Sequence, residues 1–190
     1  CAFVNKLGLE ASSGYGVACK LVNFAMLIPS ALMQSTASFI SQNVGAGNEK
    51  RAKKTMFTGI GVGLTIGCIV FIFIMFKGDI LTGIFTTDEV VIQKGYNYLR
   101  GFASETIVTA VLFSMIGYFN GHDKTVWVMI QGLIQTLLVR LPLAYYMSIQ
   151  PDASLTKIGF AAPVATMFGI VLNMIFYIYC NRKNKIINSN

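Results

Sequence analysis

Five long apolar stretches separated by short polar turns dominate this sequence of 190 residues. A helix needs about 20 mostly apolar residues to cross the hydrocarbon core of a bilayer, where the backbone must satisfy its own hydrogen bonds. The stretches cover approximately residues 15–40, 57–76, 96–119, 127–147 and 158–180. They predict an all-α integral membrane protein, a transmembrane helix bundle with about five full spans.

The composition supports the same class. Hydrophobic residues make up 54% of the chain and charged residues only 12%, whereas soluble domains carry about 25% charged residues. The net charge of +7 comes mainly from cations in turns and near the C-terminus. We therefore expect membrane lipids, and no nucleic acid, as the partner of these cations. A single histidine and cysteines without CxxC spacing predict no metal site.

The distribution of cations predicts the topology. Residues 50–54, Lys124 and the polar tail 181–190 fall on one side of the predicted bundle, and the opposite side mixes cations with acids. The basic side of a membrane protein faces the cytoplasm, so we expect a multi-pass protein of the plasma (inner) membrane with a cytoplasmic tail. Residues 1–9 are too short to span and are interpreted as the remnant of a preceding helix.

Three spans carry polar side chains at helical spacing. The polar side chains recur on one face of each span: Gln34 and Ser38; Gln131 and Gln135; Thr166, Asn173 and Tyr177. An amide or hydroxyl in hydrocarbon needs a partner. These stripes predict either the lining of a water-filled cavity or hydrogen bonds between helices. The first span also contains Pro29, which should kink it.

Small residues recur every fourth position in the second span, at Gly59, Gly63 and Gly67. Small side chains allow the backbone of another helix to approach closely. This stripe predicts a helix-packing face.

Glu105 is the one acidic residue well inside a predicted span. An ionisable side chain at that depth costs about 2.5–3.5 kcal/mol on insertion scales unless it is paired or hydrated. Glu105 is therefore a candidate site for a proton or another cation. Arg140 lies at a similar distance on the far side of the intervening turn, so a structural ion pair between the two is an alternative, and both roles stay open.

The turn between the first two spans has a distinctive order of residues. It contains Gln42, Asn43, Gly45 and Gly47, and Arg51 follows in a cluster of cations. Glycine adopts positive φ without a steric clash, so both glycines are expected to permit a sharp turn. Asn48 is a predicted N-cap for the next helix.

Two turns together resemble those of MATE (multidrug and toxic compound extrusion) transporters. Residues 41–48 with Arg51 and Ala52 are similar to the family's cytoplasmic turn after the second helix of a lobe, and residues 117–124 are similar to the turn between the fourth and fifth helices. The resemblance implies the C-terminal lobe of a two-lobe transporter, with the N-terminal lobe as its partner. It also implies antiport of organic cations or amphipathic drugs against H⁺ or Na⁺, with no other cofactor.

The resemblance also bears on the coupling site. Sodium-coupled members carry an aspartate in the fourth helix of this lobe, and counting back from Gly117 places Thr109 at that position. Glu105 lies one turn earlier, where those members have a tyrosine. Glu105, Thr109 and Arg140 are therefore the ion-coupling candidates, and H⁺ and Na⁺ both remain open.

Two other classes of function are compatible with the sequence. A lipid-linked oligosaccharide flippase of the same superfamily needs a cationic cavity, which Lys20, Arg100 and Arg140 would supply. A membrane structural subunit without a transport cycle is the other. An enzyme is not expected, since the sequence has no HExxH, GxSxG or Walker A motif.

Overall fold

The computed structural model describes residues 9–150 and 154–187. Within these ranges the chain forms eight α-helices and one π-helical segment, with no β-strand, which confirms the all-α class. The elements are α1 (Leu9–Ala25), α2 (Leu27–Gly45), α3 (Glu49–Gly83), α4 (Glu89–Phe102), α5 (Glu105–Gly121), α6 (Thr125–Ile134), the π segment (Gln135–Arg140), α7 (Leu141–Ser148) and α8 (Leu155–Ile187).

These helices supply the predicted spans. In the described part of the chain, four helical stretches are long and apolar enough to cross a membrane, and the bent pair α4 and α5 makes a fifth span when counted as one. The four stretches are Leu9–Gly45, Glu49–Gly83, Thr125–Ser148 and Leu155–Arg182. Helices run past the apolar limits at both ends, so α3 begins at Glu49 rather than at residue 57. The predicted tail is helical as far as Ile187, and the predicted helix remnant falls largely on residues 1–8, outside the described residues.

The first span is interrupted at Met26, between α1 and α2. Pro29 follows three residues later and has no amide hydrogen to donate to the carbonyl one turn before it. The Met26 carbonyl accepts from both the Ser30 amide at 3.1 Å and the Ser30 hydroxyl at 2.7 Å, so the helix resumes directly after the break. The interruption agrees with the kink expected from Pro29.

The third span differs from its prediction. The sequence placed one helix over residues 96–119, whereas the structure divides the region into α4 and α5, bent by 48° at Ala103 and Ser104. No proline marks the bend. Tertiary packing accompanies it, because Gly101 on α4 lies directly against the backbone of Thr156. Only a residue without Cβ fits this approach of α4 to α8.

Helix α5 lies at the centre of the bundle and packs against α2, α3 and α8. The glycine stripe on α3 forms the contact that the sequence predicted, since Gly59, Gly63 and Gly67 are all buried. A Cβ added at Gly67 would lie 2.5 Å from the Thr106 carbonyl oxygen. The missing side chains therefore set the separation between α3 and α5.

Candidate functional site

A chain of hydrogen bonds joins three parts of the bundle. The Gln131 amide donates to Gln135 Oε1 at 2.6 Å. The Gln135 amide in turn donates to Thr166 Oγ1 at 3.3 Å, and the Thr166 hydroxyl donates to Glu105 Oε1 at 2.8 Å. We call these four residues the polar chain. It connects α6 and the π segment, through α8, to the first residue of α5.

Glu105 has an unusual position for an acid in a membrane bundle. It is 6% exposed, and the bend between α4 and α5 makes it the first residue of α5. The amides that follow it donate to backbone carbonyls of the bend, Thr106 to Ala103 at 3.1 Å and Ile107 to Ser104 at 3.2 Å. The sequence placed Glu105 deep in a continuous helix, so its position at the start of a second helix was not predicted.

Two oxygen atoms beside the polar chain lack hydrogen-bond partners. Glu105 Oε2 and Thr109 Oγ1 are both buried, and neither is paired with any group in the described part of the chain. Thr109 lies one turn after Glu105, and its hydroxyl approaches the carboxylate without the geometry of a hydrogen bond. A carboxylate with one free oxygen can accept a proton, and it can bind Na⁺ together with neighbouring oxygens.

Arg140 acts on Glu105 at longer range. It is the last residue of the π segment, and its side chain is exposed. Its guanidinium attracts the Glu105 carboxylate electrostatically. However, among the described residues no cation lies within 4.0 Å of that carboxylate. The direct ion pair considered from the sequence is therefore not formed in this structure, and the partner that contacts Glu105 is Thr166.

The π segment begins directly after α6, and Gln135 is its first residue. Nothing in the spacing of polar residues indicated this segment, and the sequence predicted a regular helix over 127–147. Pro142 follows closely, and its ring would clash with the carbonyl of residue 138 in a regular α-helix. A wider turn before the proline avoids that clash. Such turns are often found at functional sites.

Two further residues complete the site and were not predicted. Gly169 on α8 faces both glutamines, and a Cβ there would lie 2.7 Å from Gln131 Nε2. Trp127 donates its indole N–H to Asn173 Oδ1 at 2.9 Å. The helical spacing of polar residues could have indicated Gly169, because it lies three residues after Thr166 and four before Asn173, on the same face of α8.

The remaining predicted cavity residues occupy different environments. Asn173 is fully buried, and its Nδ2 has no partner in the described ranges. Tyr177 is half-buried and packs edge-on against Tyr118, with ring centroids 5.4 Å apart. Gln34 and Ser38 are exposed on α2, away from the polar chain. The structure thus gathers Gln131, Gln135, Thr166, Glu105 and Thr109, and leaves the α2 stripe on the surface.

The turn between α2 and α3 is a Schellman motif. The Asn48 amide donates to the Asn43 carbonyl at 2.8 Å and the Gly47 amide to the Val44 carbonyl at 2.9 Å. Gly47 has the expected positive φ of 71°, and Asn48 Oδ1 caps α3 by accepting from the Arg51 amide at 3.1 Å. Gly45 does not have positive φ, contrary to expectation, because the helix continues through it.

Asn43 and Gln42 support this turn from the end of α2. The Asn43 side-chain amide donates to the Phe39 carbonyl at 2.6 Å. The Gln42 carbonyl accepts from the Ala46 amide at 3.1 Å. These contacts are local, so the turn motif holds the chain reversal and makes no contact with the polar chain.

A second Schellman motif follows α5. The Lys124 amide donates to the Phe119 carbonyl at 2.8 Å, and Asp123 takes the left-handed conformation with φ of 57°. His122 Nε2 lies 3.1 Å from Glu49 Oε1, which joins this turn to the start of α3. The two turns that resemble the family's motifs are therefore in contact at one end of the bundle.

The sequence of the chain matches a known family. A sequence profile of the family named MatE matches residues 1–146. The chain belongs to the MatE family. As a MatE protein with several apolar helices, it is a multi-pass membrane protein.

Individual MatE relatives agree with this assignment. The chain is 26% identical to the multidrug export protein MepA of Staphylococcus aureus strain N315 over 70% of its length. It is 26% identical to the probable multidrug resistance protein NorM of Bacillus anthracis over 88%. It is 24% identical to an FAD transporter of Shewanella oneidensis over 71%. The chain spans 30–38% of the length of these curated relatives.

Solved structures of MatE-like transporters share the fold. An inward-facing multidrug resistance MATE family transporter of the MOP superfamily superimposes with a TM-score of 0.78 at 16% identity, over 99% of this chain and 44% of that one. A MOP superfamily transporter from Pyrococcus furiosus superimposes with a TM-score of 0.77 at 14% identity, over 90% and 38%.

Proposed function

We propose that this chain forms one lobe of a secondary active efflux transporter in the inner membrane. The transporter exports organic cations or amphipathic drugs in exchange for H⁺ or Na⁺, by alternating access between this lobe and a second one. Membership of the MatE family and the multidrug relatives support the transport class. The unpaired, buried carboxylate oxygen of Glu105 is the observation that carries the coupling role.

The proposed coupling step begins at Glu105. Binding of a proton or Na⁺ at Glu105 Oε2 neutralises the charge at the start of α5. The Thr166 hydroxyl can then change its partner, because it already bonds to both Glu105 and Gln135. A shift of α8 relative to the π segment follows from this exchange. A ligand moves such an equilibrium only through its different affinity for the two states.

Efflux by the complete protein in proteoliposomes tests the proposal. A fluorescent organic cation is loaded, and a proton gradient or a sodium gradient is imposed in turn. We expect efflux driven by one of the two gradients, and we expect Glu105→Gln to abolish it. Thr109→Val tests the second unpaired oxygen, and a larger loss under the sodium gradient would support Na⁺ coordination.

Glu89→Gln is the matched control. Glu89 is exposed at the start of α4, so the substitution removes the same charge from the same span without touching the polar chain. Efflux should survive in this variant. If Glu105→Gln inserts, folds and transports like the native protein under both gradients, Glu105 has no coupling role.

An anionic substrate is the second candidate. Arg140 is exposed beside the polar chain, and one relative is an FAD transporter. Absence of cation efflux under either gradient would shift the assay to flavin nucleotides and then to lipid-linked oligosaccharides. Arg140→Gln would abolish transport of such anions, whereas it would leave efflux of a cation in place.

A further inference from the structure

A groove runs between α2 and α3 from one end of the bundle towards its middle. Two cations, Arg51 and Lys54, line its outer end on α3, and Val62 lines its inner end. Arg51 and Val62 are 11 residues apart on one helix, which corresponds to about 17 Å at 1.5 Å per residue. One leaflet of hydrocarbon is about 15 Å thick, half of the bilayer core. The groove therefore has the depth of one leaflet.

The chemistry of the groove changes along this depth. Below the two cations it is lined by hydroxyl groups together with aliphatic and aromatic side chains. These lining residues are Leu32, Ser35, Thr36, Phe39, Thr55, Thr58, Gly59 and Val62. Among the described residues no acid lines it. A cationic mouth above a channel whose surface is mostly apolar complements an anionic head group attached to an acyl chain.

The two cations at the mouth are available for a ligand. In the described ranges neither the Arg51 guanidinium nor the Lys54 ammonium has a hydrogen bond or an ion pair. Their neighbour Lys53 differs, because its ammonium donates to Asn181 Oδ1 at 2.8 Å. Lys53 thus has a partner inside the protein, whereas Arg51 and Lys54 are exposed at the groove.

The groove is separate from the exposed polar stripe on α2. Leu32 and Thr36 line the groove, and Gln34 and Ser38 each follow them by two residues, which is more than half a helical turn. A face that borders on apolar Leu32, Phe39 and Val62 suits lipid, whereas the amide of Gln34 does not. These apolar side chains favour an occupant with an acyl chain.

We propose that this groove is a binding site for one anionic phospholipid of the cytoplasmic leaflet. The head-group phosphate lies between Arg51 and Lys54, and one acyl chain follows α3 towards Val62. The positive end of the bundle faces the cytoplasm by the distribution of its cations, where anionic lipids are found. The lipid would fix the α2–α3 turn relative to the membrane surface.

Native mass spectrometry of the complete protein tests the site. The protein is titrated with phosphatidylglycerol and with phosphatidylcholine of identical acyl chains. We expect phosphatidylglycerol to bind more tightly. Each basic side chain near an anionic surface strengthens binding by about fivefold, so Arg51→Gln with Lys54→Gln should weaken phosphatidylglycerol binding by about 30-fold. Phosphatidylcholine binding should change less.

Lys124→Gln with Arg182→Gln is the matched control. Both residues are exposed cations at the same end of the bundle, outside the groove. Preserved preference for phosphatidylglycerol in this variant supports a defined site. An equal loss in both double variants, or equal binding of the two lipids by the native protein, would overturn the proposal.

Thr58→Trp examines the acyl channel while both cations stay in place. The bulky indole fills the groove below the mouth and should weaken binding of either lipid. Unchanged binding in this variant would overturn the proposal, even if the charge variants failed to fold. Displacement of the lipid by excess inorganic phosphate would also overturn it, because the site would then recognise a free anion.

Discussion

At the scale of single residues, only one of the two carboxylate oxygens of Glu105 has a hydrogen-bond partner in the described part of the chain. Thr166 bonds to one carboxylate oxygen, and the other has no partner among the described residues. An unsatisfied buried polar atom costs about 1–3 kcal/mol, and charged groups cost more. Glu105 thus combines a fixed oxygen, which keeps its position, with a free one that can bind an ion.

Loss of the Thr166 hydroxyl should therefore destabilise the bundle. Thr166→Val keeps the shape of the side chain, but it removes the partner of Glu105 Oε1 and of the Gln135 amide. We expect a loss of about 1–2 kcal/mol in the free energy of unfolding, measured by denaturant titration in detergent. Thr65→Val is the control, because the Thr65 hydroxyl is exposed and bonds only to its own helix. Equal effects of the two substitutions would contradict the importance of this bond.

At the scale of elements, close helix contacts at glycine determine how α3, α4, α5 and α8 pack. Gly67 lies against α5, and Gly159 lies against α4, where a Cβ would be 2.8 Å from the Tyr98 carbonyl oxygen. Backbone atoms cannot move aside as flexible side chains can. Methyl groups at these contacts force helices apart, which costs packing along the whole contact.

Gly67→Ala should lower the thermal unfolding temperature, with a loss of about 1–3 kcal/mol, because the new Cβ meets the backbone of Thr106. Gly61→Ala on the same helix has nothing within 4 Å of its new Cβ. It should be neutral or stabilising, since alanine favours helix more than glycine does. If Gly67→Ala is tolerated as well as Gly61→Ala, the two helices can separate at little cost.

The comparison between sequence and structure also belongs to this scale. Apolar length predicted the spans, and the spacing of Gly59, Gly63 and Gly67 predicted a packing face, because both depend on local pattern. The bend before Glu105 and the π segment depend on which helices meet, and a single sequence does not contain that information. The sequence allowed candidate site residues to be identified, because a polar side chain within an apolar span is costly to bury. Their connection from Gln131 to Glu105 needed the neighbouring helices, and their functional roles stay predictions.

At the scale of the whole molecule, the lobe exposes polar side chains within a membrane span. Gln34 and Ser38 are exposed on α2, and contact with hydrocarbon would be unfavourable for them. The chain covers 44% of a solved transporter with the same fold, and we proposed above that a second lobe completes it. We therefore expect this stripe to face a water-filled space next to the second lobe.

Cysteine accessibility in the complete, membrane-embedded protein examines this expectation. With native cysteines replaced by serine, Gln34→Cys and Ser38→Cys should react with a membrane-impermeant thiol reagent, because water reaches them. Ile69→Cys should not react, since Ile69 is 63% exposed among apolar side chains and we expect this part of α3 to face lipid. Protection of both α2 positions would mean that protein covers the stripe and that no water-filled space borders it.

The left-handed backbone conformation of Asp123 restricts which substitutions can accumulate at this position during evolution. Asp123 occupies a position where glycine, asparagine and aspartate are tolerated and most other side chains are strained. In the genetic code an aspartate codon is a single nucleotide change from a glycine codon and from an asparagine codon. Single mutations can therefore exchange the aspartate for glycine or for asparagine. The corresponding position of the first turn holds Gly47 in the same conformation, so descendants of this gene should stay within that small set at both turns.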